Sequence, residues 1–356
     1  MITKSLGQSI FLVAIWFASG VFGFTWLNAS QSVSLTNEQI VELTKLSVPE
    51  RLSIEGELLK PLLVPRVSGT EGNLKVQNFL IEELRKLDWH VEEDRFNDTT
   101  PMGVVSFNNI VATNNPNAKR KLVLAAHFDS KYFPPPDTFI GATDSAVPCA
   151  ILLDIAHALN ELLSSEKMRY NELALELVFL DGEEAFQTWT QTDSLYGARH
   201  LAEKWENTKL QDIHNPIGSD AVSRLQTIEL FVLLDLIGAK GSNILNTQFN
   251  TSYFFQRLKV IERKLSALSL LSNADLELME ENEGYFGPLT VIEAGIDDDH
   301  RPFLEKGVPV LHLIPIPFPH VWHTTKDDAS AIDHDSVVDF SLIMRLFVAE
   351  YLQVFA

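Results

Sequence analysis

Six strand-like runs, separated by segments of helical spacing, constrain this chain more tightly than any other feature. They are WHVEEDRF (89–96), NNIVAT (108–113), KLVLAAH (121–127), LALELVFL (173–180), IELFVLLDL (228–236) and VPVLHLI (308–314). Short runs of this kind, bounded by turn residues, read as strands. Several are apolar throughout, which requires cover on both faces of the sheet. Apolar residues recur at helical spacing over 38–49, 71–87, 145–163, 194–206, 253–269, 298–306 and 334–353. The alternation predicts an α/β chain: a three-layer α/β/α sandwich with a central mixed, mostly parallel β-sheet. No linker, low-complexity tract or repeat interrupts residues 38–356, which read as a single domain.

Sheets of this kind bind ligands beyond the carboxyl ends of their strands. Four of the runs deliver an acid or a histidine there: KLVLAAH leads into HFDSK, LALELVFL into DGEEAF, IELFVLLDL into IGAKG, and VPVLHLI into PIPFPHVWH. One aspartate after a strand is explained by a turn or a helix cap. Four such ends converging is not. His127 and Asp129 are two residues apart and point the same way on an extended chain. Asp144, in GATDSAVPCA, suits the N-cap of the helix that follows, a position that would also turn its carboxylate toward the strand ends. Glu183 and Glu184 are adjacent and, in a turn, can flank one point. His323 follows a proline-rich loop. Asp144, Glu184 and His323 together make a two-carboxylate, one-imidazole set suited to a catalytic zinc with an open position. Glu183 then stays free as a general base, an arrangement fitted to acyl chemistry on an amide.

The formal net charge of -20 repels a phosphate backbone and argues against nucleic acid as a partner. Cys149 is the one cysteine, so no intrachain disulfide can form, and its apolar helical setting reads as a small buried hydrophobe. Residues 1–30 read as a signal peptide or signal anchor. The apolar run at 10–27, about 18 residues, is long for a cleaved leader and just long enough to anchor the chain in a membrane. Either reading leads into the secretory pathway, to a secreted, extracellular protein or alternatively to the Golgi membrane. Sequons at Asn28, Asn97 and Asn250 agree with a glycoprotein.

HFDSKYF, GATDSAVPCA, FLDGEEAF, LLDLIGA, DDDHRPFL and GVPVLHLIPIPFPHVWHT occur in this order. Together they resemble the animal glutaminyl-peptide cyclotransferases (glutaminyl cyclases), whose fold is that of the zinc-dependent M28 aminopeptidases. The resemblance runs from about residue 40 to the C-terminus. It implies cyclisation of the N-terminal glutamine, and more weakly glutamate, of peptides and proteins to pyroglutamate, with one zinc per chain and a monomeric enzyme. By the same resemblance Asp144, Glu184 and His323 hold the zinc and Glu183 is the general base and acid. Asp235 hydrogen-bonds to the reacting nitrogen, and Asp298 forms a proton-sharing carboxylate pair with Asp235. Trp189, Ile296, Phe318 and Trp322 line the substrate pocket, and His312 joins the hydrogen-bond network. Lys131 is expected in a structural ion pair, and the acidic stretch 279–283 in a solvated loop.

The chain departs from that pattern in places. Many secreted relatives carry a cysteine before the H-x-D histidine, paired with the one in GATDSAVPCA; here that position is Ala126. The loop PPPDTFI (134–140) alters the pocket rim, and Asp297 adds a third acid to DDDH. Two other readings stand beside the cyclase: a two-zinc M28 aminopeptidase, with His127 and Asp235 on a second metal and Asp144 bridging, and a non-catalytic secreted binding module.

Overall fold

The computed structural model describes residues 34–210, 222–272 and 284–355. The leader at 1–30, the sequon at Asn28 and the acidic stretch 279–283 lie outside the described residues. The strands are β1 (His90–Thr100), β2 (Gly103–Thr113), β3 (Arg120–His127), β4 (Leu173–Leu180), β5 (Lys209–Leu210), β6 (Val222–Ser223), β7 (Ile228–Leu234) and β8 (Val310–Leu313). The helices are α1 (Asn37–Thr44), α2 (Glu71–Lys86), α3 (Val147–Leu163), α4 (Glu166–Arg169), α5 (Tyr196–Asn207), α6 (Ser252–Ala267), α7 (Arg301–Glu305) and α8 (His334–Tyr351).

Six strands form the central sheet in the order β1-β2-β4-β3-β7-β8. The neighbours β4, β3, β7 and β8 run parallel, while β2 runs antiparallel to both β1 and β4. Register brings the carboxyl ends together: His127 pairs with Leu180, Ala125 with Leu233, and Leu234 with Leu313. The acids and histidines that follow these strands therefore leave the sheet at one edge. A small antiparallel pair, β5 with β6, stands apart from this sheet.

Alternation along β3 and β4 sends successive side chains to opposite faces. Val123, Ala125, Val178 and Leu180 pack against Ala198, Leu201, Ala202 and Trp205 of α5 and Phe303 of α7. Helix α3 packs on β3 from the other face, with α2 and α8 against it. A buried ion pair, Arg345 to Asp154 at 2.7 Å, ties α8 to α3. Among the described residues, the segment Ala142–Leu163 is long and apolar enough to cross a membrane, but 78% of its apolar window is buried, as befits a core helix.

Several boundaries differ from the sequence reading. The runs at 89–96 and 108–113 are the halves of one long hairpin, paired from His90↔Thr113 to Thr100↔Gly103. Its tip is an exposed edge with polar residues such as Asn97 and Asp98, so no apolar pattern marks it. Helix α1 ends at Thr44, and Pro49 opens a separate 3-10 turn because proline cannot continue an α-helix. The helix expected at 298–306 shrinks to Arg301–Glu305, leaving Asp298 and Asp299 in the turn before it. Helix α3 starts at Val147, with Pro148 in its first turn; Asp144 (φ -118°, ψ 78°) and Ser145 (φ -128°, ψ 47°) are not helical. Asp144 is therefore not the N-cap of that helix, and its carboxylate is left for the site.

Candidate active site

The turn after β4 is built around Gly182, whose φ of +76° suits glycine. It reverses the chain so that Glu183 and Glu184 both stay at the strand end. Asp129, two residues beyond β3, fixes them: Oδ1 accepts from the Glu183 amide at 3.1 Å and Oδ2 from the Glu184 amide at 3.2 Å. The H-x-D aspartate is thus the anchor of the E-E turn. Asp193 holds the next stretch, accepting from the amides of Phe186, Gln187 and Thr188 at 2.9 Å each.

The loop carrying Asp144 is gripped from two sides. Arg66, fully buried, donates to the carbonyls of Phe128, Ile140, Gly141 and Asp144. Asp327 accepts from the Thr143 amide and hydroxyl, each at 2.9 Å. Neither residue was legible beforehand, because each acts on carbonyls or amides far away in sequence and carries no motif of its own. His323 sits at φ +51°, its ring stacked on Trp322 with centroids 4.1 Å apart. Phe139, from the PPPDTFI loop, meets it edge-on at 6.1 Å.

These supports bring Asp144, Glu184 and His323 together. His323 Nε2 lies 3.2 Å from Glu184 Oε1 and 3.5 Å from Asp144 Oδ2. Both of those oxygens are buried without a hydrogen-bond partner. Two dry carboxylate oxygens turned on one imidazole nitrogen are the donor set for a divalent cation. Burial and the charge of Glu184 push Asp144 up to about 7. At Glu184 burial acts in the same direction, but His323 and Lys131 outweigh it and hold the carboxyl at about 2. Lys131 makes its expected ion pair, 3.0 Å from Glu184 Oε2, leaving Oε1 to the site.

Around this trio is a cavity of about 340 Å³ lined by Glu183, Trp189, Asp235, Ile296, Asp298, Phe318 and Trp322, with Asp144 and His323 in its wall. Every pocket residue expected from the sequence is brought to it. Phe318 meets Trp322 edge-on at 4.9 Å, and Trp322 is 40% exposed, an open wall rather than core. Burial pushes the Glu183 carboxyl well above the usual range.

Asp235 and Asp298 both line the cavity. Asp235 Oδ1 accepts from the Ser145 hydroxyl and from the Leu236 amide at 2.8 Å, because Leu236 turns back at φ +56°. Asp298 Oδ2 meets His312 Nε2 at 2.6 Å. Burial and the Asp235 charge push Asp298 well above the carboxylate range, and burial brings His312 down to about 4. Both shifts favour the proton on the carboxyl rather than on the imidazole. At Asp235 burial is outweighed by His127 and Ser145, so that carboxylate stays ionised.

His127, Asp144 and Asp235 form a second group of possible ligands, yet its atoms already serve one another. His127 Nε2 is 3.0 Å from Asp144 Oδ1 and 3.4 Å from Asp235 Oδ1. Burial opposes a charged His127, but Asp129, Asp144 and Asp235 outweigh it and raise its pKa. Cys149 is fully buried beside the His127 carbonyl, and burial pushes its thiol up to about 12, as suits a small hydrophobe.

A three-layer sandwich with an acid–acid–imidazole trio at the strand ends defines a metal-dependent enzyme of the exopeptidase type, and residues 109–348 match Peptidase family M28. Closer relatives narrow this. The chain is 47% identical over 307 residues to the glutaminyl-peptide cyclotransferase-like protein of Mus musculus, covering 85% of this chain and 76% of that one. It is 42% identical over 321 residues to the glutaminyl-peptide cyclotransferase of Drosophila melanogaster, covering 89% and 85%. The crystal structure of Macrostomum lignano glutaminyl cyclase superposes with a TM-score of 0.79 at 40% identity, over 90% of this chain and 95% of that one. The chain belongs to the glutaminyl-peptide cyclotransferases. It is an enzyme that cyclises N-terminal glutamine of peptides and proteins to pyroglutamate, with one zinc per chain.

Proposed function

We propose that Glu183 carries the proton in this reaction, from the α-amine of the substrate to its departing amide nitrogen. The observation that supports this most is its place: a buried carboxyl, its basicity raised by burial, on the wall of the cavity that Asp144 and His323 also line. Asp144, Glu184 and His323 hold the zinc, which when bound polarises the γ-carbonyl as a Lewis acid. The α-amine attacks the γ-carbon of its own side chain, a tethered nucleophile that needs no second reactant. Glu183 accepts the proton the amine loses and returns it as the carbon–nitrogen bond breaks, so ammonia leaves and a five-membered lactam remains. Asp235, kept ionised, accepts a hydrogen bond from the reacting nitrogen. Asp298 faces the same space as an acid, held by His312. Trp189, Ile296, Phe318 and Trp322 form the walls, and a cavity of this size takes the first residue or two of a peptide.

The chain is also read as a protein of the secretory pathway, with residues 1–30 as leader or anchor, residues 38–356 as a monomeric catalytic domain, and the exposed Asn97 and Asn250 as glycan acceptors. Ammonia release from a glutamine-initiated dipeptide amide, with zinc counted on the same sample, tests the enzymatic reading. About one zinc with ammonia supports it. Release of free amino acid with two zincs would move His127 and Asp235 into a second metal site.

A further inference from the structure

We infer that Asp297 is a positioning residue that tethers the Trp189 wall of the substrate cavity. Its Oδ2 accepts from Trp189 Nε1 at 3.0 Å, and its Oδ1 lies 3.0 Å from Arg301 Nη1 on α7. Arg301 is fixed in turn by Glu305, with Nε to Oε1 at 2.9 Å. The chain Trp189–Asp297–Arg301–Glu305 thus links an indole on the loop after β4 to α7. The two elements have no backbone hydrogen bond to each other among the described residues.

Asp297 also stands between two spaces. It lines the substrate cavity with Trp189, and it lines a second cavity of about 660 Å³ with Arg301 and Glu305. The indole is half-buried, packed on the core beneath the sheet by its ring alone. Packing of a flat ring limits tilt but not rotation in its own plane, whereas a hydrogen bond at the ring nitrogen fixes both. A bond whose acceptor is ionised is about twice as strong as a neutral one. The acid at 297 therefore sets where the wall stands, and through it how firmly the first substrate residue is held. This rests on the reading of Trp189 as a cavity wall.

The test is a mutant cycle on the full chain, with kcat and KM for a glutamine-initiated dipeptide amide and zinc content measured for each variant. Asp297→Ala raises KM about tenfold, the size of one charge-assisted hydrogen bond, with kcat and zinc content within about twofold of the parent. Asp297→Asn keeps an oxygen for the indole N–H but not the charge, and its KM falls between those of the parent and Asp297→Ala. In a Trp189→Phe background, which has no ring N–H, Asp297→Ala has no further effect on KM. If Asp297→Ala raises KM equally in both backgrounds, or if Asp297→Asn is as impaired as Asp297→Ala, the tether is overturned although the wall can stand. If Trp189→Ala leaves KM unchanged, the wall reading itself fails and the tether falls with it.

Discussion

Adjacent glutamates stand in different surroundings at the end of β4. Only Glu184 has its second oxygen on Lys131 and its first turned toward His323. Its neighbour Glu183 keeps a carboxyl on the cavity wall. Glu184→Gln is expected to lose zinc and activity together. Glu183→Gln should keep zinc and lower kcat by about 10²–10⁴-fold, the usual worth of a positioned acid–base group. Metal analysis and steady-state kinetics on the two variants check this; a Glu183→Gln enzyme with normal turnover would place the proton carrier elsewhere. The pair was legible in the sequence because two acids after an apolar run have no structural excuse. What Asp129 does was not, since a carboxylate that caps two amides 54 and 55 positions away leaves no local pattern.

Among elements, the turn at Gly182 is tightly confined. A Cβ there would lie 2.5 Å from the ring of buried Phe107, at a backbone φ of +76°. Gly182→Ala should destabilise the fold by roughly 2–3 kcal/mol, from left-handed strain plus overpacking, measured by denaturant titration. On α6, burial pushes Glu262 up to about 7 although the Tyr285 amide donates to it. Its folded pKa is above the unfolded one, so the native state binds the proton more tightly. The stabilisation is complete below pH 4.5 and is lost as pH rises through about 7. The loss is on the order of 3 kcal/mol. Glu262→Gln should flatten the melting temperature across that window, and an unchanged slope would assign the effect to another group. The core strands and long helices were readable from periodicity. The hairpin tip, whose side chains face water, and the turn holding Asp298, which looks helical only because Arg301–Glu305 follows it, were not.

At the scale of the whole molecule, the parallel register is what converts separate motifs into one centre. Strand ends were visible in sequence; that His127 pairs with Leu180 and Leu234 with Leu313 was not, because register depends on which strands are neighbours. With Asp144, Glu184 and His323 as the proposed ligands, zinc would link distant parts of the chain. Chelation should therefore lower the melting temperature, corresponding to about 4 kcal/mol when free zinc stands at a thousand times its Kd. Scanning calorimetry with and without chelator checks this, and Glu184→Gln should show no such difference.

The lone buried Cys149 has a consequence for how the protein is made. With Cys149 as the one cysteine of the sequence, no intrachain disulfide forms as the chain matures. Folding of residues 33–356 asks nothing of an oxidising machinery, and the finished core offers none of its sulfur to solvent.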